Sequence, residues 1–118
     1  MISREQALAF ANEWIEAWNS HDLPRVLDHY TDDFEMSSPV IKQMNESETG
    51  TLKGKDNVGR YWGNALKKYP DLHFKLIEVL SSVNTVVIYY HTINEKKSAE
   101  FFLFNEHGKV YKAIGHYN

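Results

Sequence analysis

The chain has 118 residues, the size of one domain over 1–118, and its 42% hydrophobic and 25% charged residues with 14% aromatics fold rather than stay disordered. Its net charge of −3 is spread without runs, which speaks against nucleic acid or an anionic membrane as partner, and the lack of cysteine rules out disulfides, zinc ribbons and thiol nucleophiles. Met1 to Glu5 lack the apolar core of a signal peptide, and the longest apolar run, Val86 to Tyr90, is far short of the roughly 20 residues that cross a bilayer, so a cytoplasmic protein is expected.

The N-terminal half reads as helical. Ser3 and Gln6 match a capping box, in which each side chain satisfies the other residue's backbone amide. Ala7, Phe10, Ala11, Trp14 and Trp18 then recur at spacings of three and four, an apolar stripe opposite Glu5, Asn12, Glu13 and Glu16. The helix ends near Asn19-Ser20-His21. Asp22 caps a shorter helix with Pro24 in its first turn and a stripe of Leu23, Val26, Leu27 and Tyr30. Phe34 to Ser38 read as a short strand before Pro39, and 41–54 as a loop with a brief strand at Thr51-Leu52. A third helix follows Gly54. Asp56 sits near its positive end, Val58, Tyr61, Trp62, Ala65, Leu66 and Tyr69 form its stripe, and Pro70-Asp71 end it.

From Leu72 the period changes to two. Leu72 to Leu76 alternate, Thr85 to Ile93 are β-branched and aromatic, and Ser98 to Phe104 and Lys109 to Tyr117 flank a tight Asn105-Glu106-His107-Gly108 turn. Helices followed by an antiparallel meander give an α+β class. Pairing Phe104 with Lys109 sets Phe101 against Lys112 and Glu100 against Ala113. One face then carries Glu100, Phe102, Phe104, Tyr111, Ala113, Gly115 and Tyr117, and the other Phe101, Leu103, Val110, Ile114 and His116. Both faces are apolar, and three helices cover only one. A homodimer through the outer sheet face is therefore expected.

The order of elements resembles the nuclear transport factor 2-like superfamily across nearly the whole chain. Trp14 to Leu23 are similar to its passage from the first helix through small residues to Asp-Leu. Tyr30-Thr31-Asp32-Asp33-Phe34 resembles its entry into the first strand. Gly54 to Val58 resemble the start of its third helix, and Phe102 to Val110 its closing hairpin on Gly-Lys. The SnoaL-like and ketosteroid isomerase-like branches look nearest. The resemblance implies a cone-shaped (cystatin-like) α+β fold, with three N-terminal helices against a curved, mostly antiparallel sheet and a mouth that admits a ligand. It also sets Trp14 where an isomerase has a tyrosine donor, Ser38 where it has the aspartate base, and Glu100 where it has a second, protonated aspartate. Only one of the three positions keeps a carboxyl group, which disfavours steroid isomerisation by that route.

The residues add their own chemistry. Glu100 precedes Phe-Phe-Leu-Phe and falls by alternation on the pocket face, where desolvation raises a carboxyl pKa as a general acid or base requires; a strand-end glutamate reaching solvent beside Lys96 or Lys97 is the alternative. Tyr30, Tyr90 and Tyr117 are candidate pocket hydroxyls, with Trp14, Ser38, Trp62 and Phe102 as further ligand contacts, although packing alone explains any single aromatic. The six histidines lack metal-binding spacing, and only His73 is considered for the cavity; no metal and no cofactor are expected. The expected function is a pocket for a small apolar molecule, with cofactor-free isomerase, cyclase or hydratase/dehydratase chemistry through Glu100. The alternative is a non-catalytic ligand-binding or dimerisation module, since the fold hosts both.

Overall fold

A computed structural model describes residues 1–118. Four helices, α1 (Arg4–Asn19), α2 (Leu23–Leu27), α3 (Pro39–Gln43) and α4 (Lys55–Lys68), are interleaved with six strands: β1 (Tyr30–Ser37), β2 (Thr51–Lys53), β3 (Lys75–Ser81), β4 (Thr85–His91), β5 (Lys97–Phe104) and β6 (Val110–Tyr117). The strands form one mixed sheet in the order β2-β1-β6-β5-β4-β3, antiparallel except where β1 runs parallel to β6. Twenty-two buried hydrophobic residues make a single core between the inner sheet face and the helices.

The expected capping box is present, with Gln6 N donating to Ser3 Oγ at 3.1 Å and Ser3 N donating to Gln6 Oε1 at 2.9 Å. Ala7, Ala11, Trp14, Ala17 and Trp18 are the buried face of α1. The unexpected element is α3. Ser38 caps it through Oγ, which accepts from Val40 N at 3.1 Å, and Pro39 occupies its first turn, where a missing N–H costs nothing.

Strand β3 starts three residues later than the alternation from Leu72 predicts. Side chains at the end of α1 take the ladder's place there. Asn19 Nδ2 donates to Phe74 O at 2.9 Å, Phe74 N donates to Asn19 Oδ1 at 2.6 Å, and His21 Nε2 meets Leu72 O at 2.9 Å. Leu72 and Phe74 remain buried, whereas His73 is exposed.

The hairpin register also differs from expectation. Asn105 N donates to Lys109 O at 2.8 Å and Gly108 takes φ +75, so the turn holds three residues rather than four and Phe104 pairs with Val110. A bulge follows, and Leu103 pairs with Lys112, Phe101 with Ile114 and Glu100 with Gly115. Val110 therefore faces the core and Tyr111 the outside, the reverse of the expected assignment. From Lys112 onward the offset from the expected register is two residues, an even number, so Ala113, Gly115 and Tyr117 keep the inner face with Glu100.

Candidate functional site

Three rows of inner-face residues cross β4, β5 and β6. Val86, Phe102 and Ala113 form the deepest, Ile88, Glu100 and Gly115 the next, and Tyr90, Ser98 and Tyr117 the outermost. The deep row packs against α1, where Phe102 meets Phe10 and Trp14 edge-on. Nearer the open end the helices stand away from the sheet and leave a cavity of about 430 Å³, within the range of small-molecule sites.

Each wall follows from a local pattern. Helix α1 contributes Trp14 and Trp18, one turn apart on its stripe. Helix α4 contributes Tyr61, Trp62, Ala65 and Lys68, whose spacing keeps them on one side of the helix, and Tyr69 follows as its C-cap. Leu72 and Phe74, pinned by His21 and Asn19, close one flank; Met36, Ser38 and Val40 close another. The sheet supplies Tyr90, Glu100 and Tyr117.

Of the residues expected at the site, Glu100, Trp14, Ser38, Trp62, Tyr90 and Tyr117 line this cavity. Tyr30 and Phe102 do not. They are 2% and 0% exposed and lie behind the wall, in the packed layer between helices and sheet. Tyr30 Oη accepts from Trp14 Nε1 at 3.0 Å, so the indole N–H is directed at the core rather than at the cavity. The Ser38 hydroxyl accepts from Val40 N in the α3 cap and is also close enough to the Tyr117 hydroxyl to hydrogen-bond with it. Trp18, Tyr61 and Tyr69, which the sequence marks only as members of helical stripes, belong to the wall, as does Phe74 from the alternating segment. His73 is outside it.

Glu100 is the only acidic side chain on the wall and is 3% exposed. Its Oε1 has no hydrogen-bond partner. Burial, with no compensating charge, pushes its pKa up from 4.5 to about 7. The carboxyl fits because of its neighbour across the ladder: a Cβ on Gly115 would lie 3.0 Å from Glu100 Oε1. Four phenols feel the carboxylate. Tyr30, Tyr61, Tyr90 and Tyr117 are all raised above the ordinary tyrosine value, first by burial and then by the Glu100 charge, and Tyr61 reaches about 12. These hydroxyls stay protonated at every working pH and serve as donors. Two more polar atoms nearby are unpaired, Ser98 Oγ in the outermost row and the Trp18 indole N–H. No cluster of three His, Asp or Glu side chains could hold a metal ion, and no helix is long and apolar enough to cross a membrane.

The profile of a family described as a SnoaL-like domain matches residues 11–113. A SnoaL-like protein of unknown function from Burkholderia thailandensis is 45% identical, with a TM-score of 0.97 over 99% of this chain and 98% of its own. A SnoaL-like family protein from Agrobacterium tumefaciens, proposed to be an isomerase, is 16% identical with a TM-score of 0.77 over 97% of this chain and 98% of its own. A protein from Kribbella flavida proposed to be a ketosteroid isomerase is 14% identical with a TM-score of 0.73, over 97% of this chain and 78% of its own. At such identities the last two share the fold alone. No curated protein matches the chain.

Proposed function

The chain belongs to the SnoaL-like family, and on that premise we propose that its cavity takes up a small, largely apolar molecule on which Glu100 moves a proton without a cofactor. The reaction class is isomerisation, cyclisation, or dehydration and its reverse. In an isomerisation the Glu100 carboxylate removes a proton from a carbon acidified by a neighbouring carbonyl, and the carboxylic acid so formed returns that proton to a second carbon.

One observation carries this reading: a buried, unpaired carboxyl on the cavity wall with a pKa of about 7, where acid and base forms coexist near neutral pH. Orientation falls to the polar groups of the wall, namely the hydroxyls of Ser38, Tyr61, Tyr90 and Tyr117 and the unpaired Trp18 N–H. Trp14 holds Tyr30 instead. Mass spectrometry of what co-purifies with the protein identifies the ligand. Glu100→Gln should then bind it while turnover falls by roughly 10²–10⁴, the usual effect of losing an acid or base. Full activity in that variant refutes the mechanism.

A second reading, a non-catalytic ligand-binding module, draws on Trp14 and Ser38 standing where the isomerase resemblance places a tyrosine and an aspartate. It is favoured if every glutamate titrates by NMR at an ordinary value.

We further infer that a second copy of the chain covers the outer sheet face. Phe101 and Tyr111 are 39% and 40% exposed there, flanked by half-buried Val87, Leu103 and Ile114. Such a row is self-complementary across a two-fold axis and fits a symmetric dimer.

A further inference from the structure

We propose that the molecule taken up is an amphipathic organic acid, bound with its apolar body in the cavity and its single anionic group held at the mouth between Lys68 and Lys96. This rests on the reading of the cavity as a ligand site and adds the ligand's charge and direction.

Both lysines belong to the wall and both are exposed, which places them where the cavity meets solvent. They come from separate elements, Lys68 from the last turn of α4 and Lys96 from the segment between β4 and β5. Neither is engaged in an ion pair; the lysines that are paired are Lys53, with Glu35, and Lys55, with Asp32. Lys68 Nζ lies only over the Tyr69 ring, 5.5 Å from its centroid. Glu46 is close enough for its charge to reach Tyr61, but it pairs with neither lysine. A chain of net charge −3 thus presents two free cations at the entrance of the cavity that holds Glu100.

Position in the sequence separates this from ordinary surface charge. Lys67 and Lys68 both complement the negative end of the α4 dipole. Only Lys68 is seven residues from Tyr61, two helical turns along the same stripe, and only Lys68 lines the cavity. Lys96 lines it and its neighbour Lys97 does not.

The direction of binding follows from where charge is tolerated. An anion in the interior would be desolvated and would face the Glu100 carboxyl, both unfavourable. At the mouth it keeps part of its hydration and gains two ammonium partners. The far end of the ligand, carrying a carbonyl or hydroxyl, then meets Glu100.

Two dyes with the same aromatic skeleton test this, anilinonaphthalene sulfonate and its neutral relative N-phenylnaphthylamine. In Lys68→Gln/Lys96→Gln the sulfonate dye should bind roughly three- to tenfold more weakly, the size of two exposed ion pairs. The loss should shrink as salt is raised. The neutral dye should be unaffected. Lys67→Gln/Lys97→Gln, equal in net charge, should leave both dyes unchanged. Ala65→Trp, or the milder Ala65→Leu, fills the cavity and should expel both. If those fillings expel the dyes but the lysines make no difference to the sulfonate, the anion proposal is overturned and the cavity reading stands. If the fillings expel neither dye, the cavity reading fails, and this proposal with it.

Discussion

Removing the ionisable proton of Glu100 should favour the fold increasingly as pH rises from acid to neutral and alkaline. The group is buried without a hydrogen bond to Oε1, and its pKa rises from 4.5 to about 7 on folding. A folded-state value above the unfolded one means that the native protein holds this proton more tightly. The resulting stabilisation is complete below about pH 4.5 and is lost as pH rises through about 7. With 1.36 kcal/mol for each pKa unit, the loss amounts to roughly 3 kcal/mol. That is a large part of the 5–15 kcal/mol typical of a domain.

In Glu100→Gln this contribution is absent while size and shape are kept. The variant's advantage over the parent should grow from its low-pH value by roughly 3 kcal/mol between about pH 4.5 and pH 8. The new amide protons add an offset of either sign, but that offset does not vary with pH, so the slope is the signal. Urea unfolding followed by circular dichroism measures it. With a typical urea dependence of about 1–3 kcal/mol/M, the gap between the two midpoints should change by at least about 1 M over that range. A stability difference that stays constant with pH, whatever its size, refutes the claim that Glu100 is desolvated and unpaired.

Trp14→Phe removes the N–H that donates to Tyr30 Oη and leaves a buried phenol oxygen without its donor. It should cost about 1–3 kcal/mol in thermal or urea unfolding, and a neutral effect would contradict the bond's role. Gly115→Ala brings a methyl to 3.0 Å from Glu100 Oε1, and that flexible carboxyl can turn aside. The variant should fold, but the NMR titration midpoint of Glu100 should move; an unchanged midpoint means the two residues do not touch. Leu103→Glu places a charge in the outer apolar face and should give a monomer or an insoluble protein, tested by sedimentation. A parent protein that sediments as a monomer at high concentration rules out the second copy.

What was legible in the sequence is what a one-dimensional period can carry. The capping box and stripe of α1, the stripe of α4 and the alternation of β5 each repeat often enough to fix a face. That was sufficient to place Glu100 inward, and the even offset in the hairpin preserved the result. Helix α3 was hidden because five residues hold a single turn, and its Ser38-Pro39 start lies beside a polar stretch that reads as loop. The late start of β3 depends on Asn19 and His21, more than fifty residues away in sequence from Phe74 and Leu72. The wall of the cavity was legible only in part for a similar reason. A helical stripe says that Tyr30 is inside and alternation says that Phe102 is, as they are, although Tyr30 opens β1 rather than ending a helix. Neither period tells whether another side chain stands between them and the void. Lys68 keeps the spacing of Tyr61, but a stripe defined by its apolar members leaves a lysine out.

The balance between catalyst and passive container turns on what the fold tolerates to keep a carboxyl in this place. A container for an apolar molecule is built from apolar walls, and the cavity around Glu100 supplies them with Trp14, Phe74 and Tyr90. A carboxyl among them destabilises the folded state at neutral pH, so a methionine or glutamine there would give a more stable container. Gly115 also lacks the side chain that would otherwise fill the space against Glu100 Oε1. No cation and no hydrogen bond to Oε1 offsets the burial within the chain. On the proposed reading, the bound ligand supplies the missing partner. One that only needed holding could be met by the phenols, which donate without titrating near neutral pH. A group poised at about 7 adds something the phenols lack, the capacity to take a proton and return it, and this is why the catalytic reading ranks first.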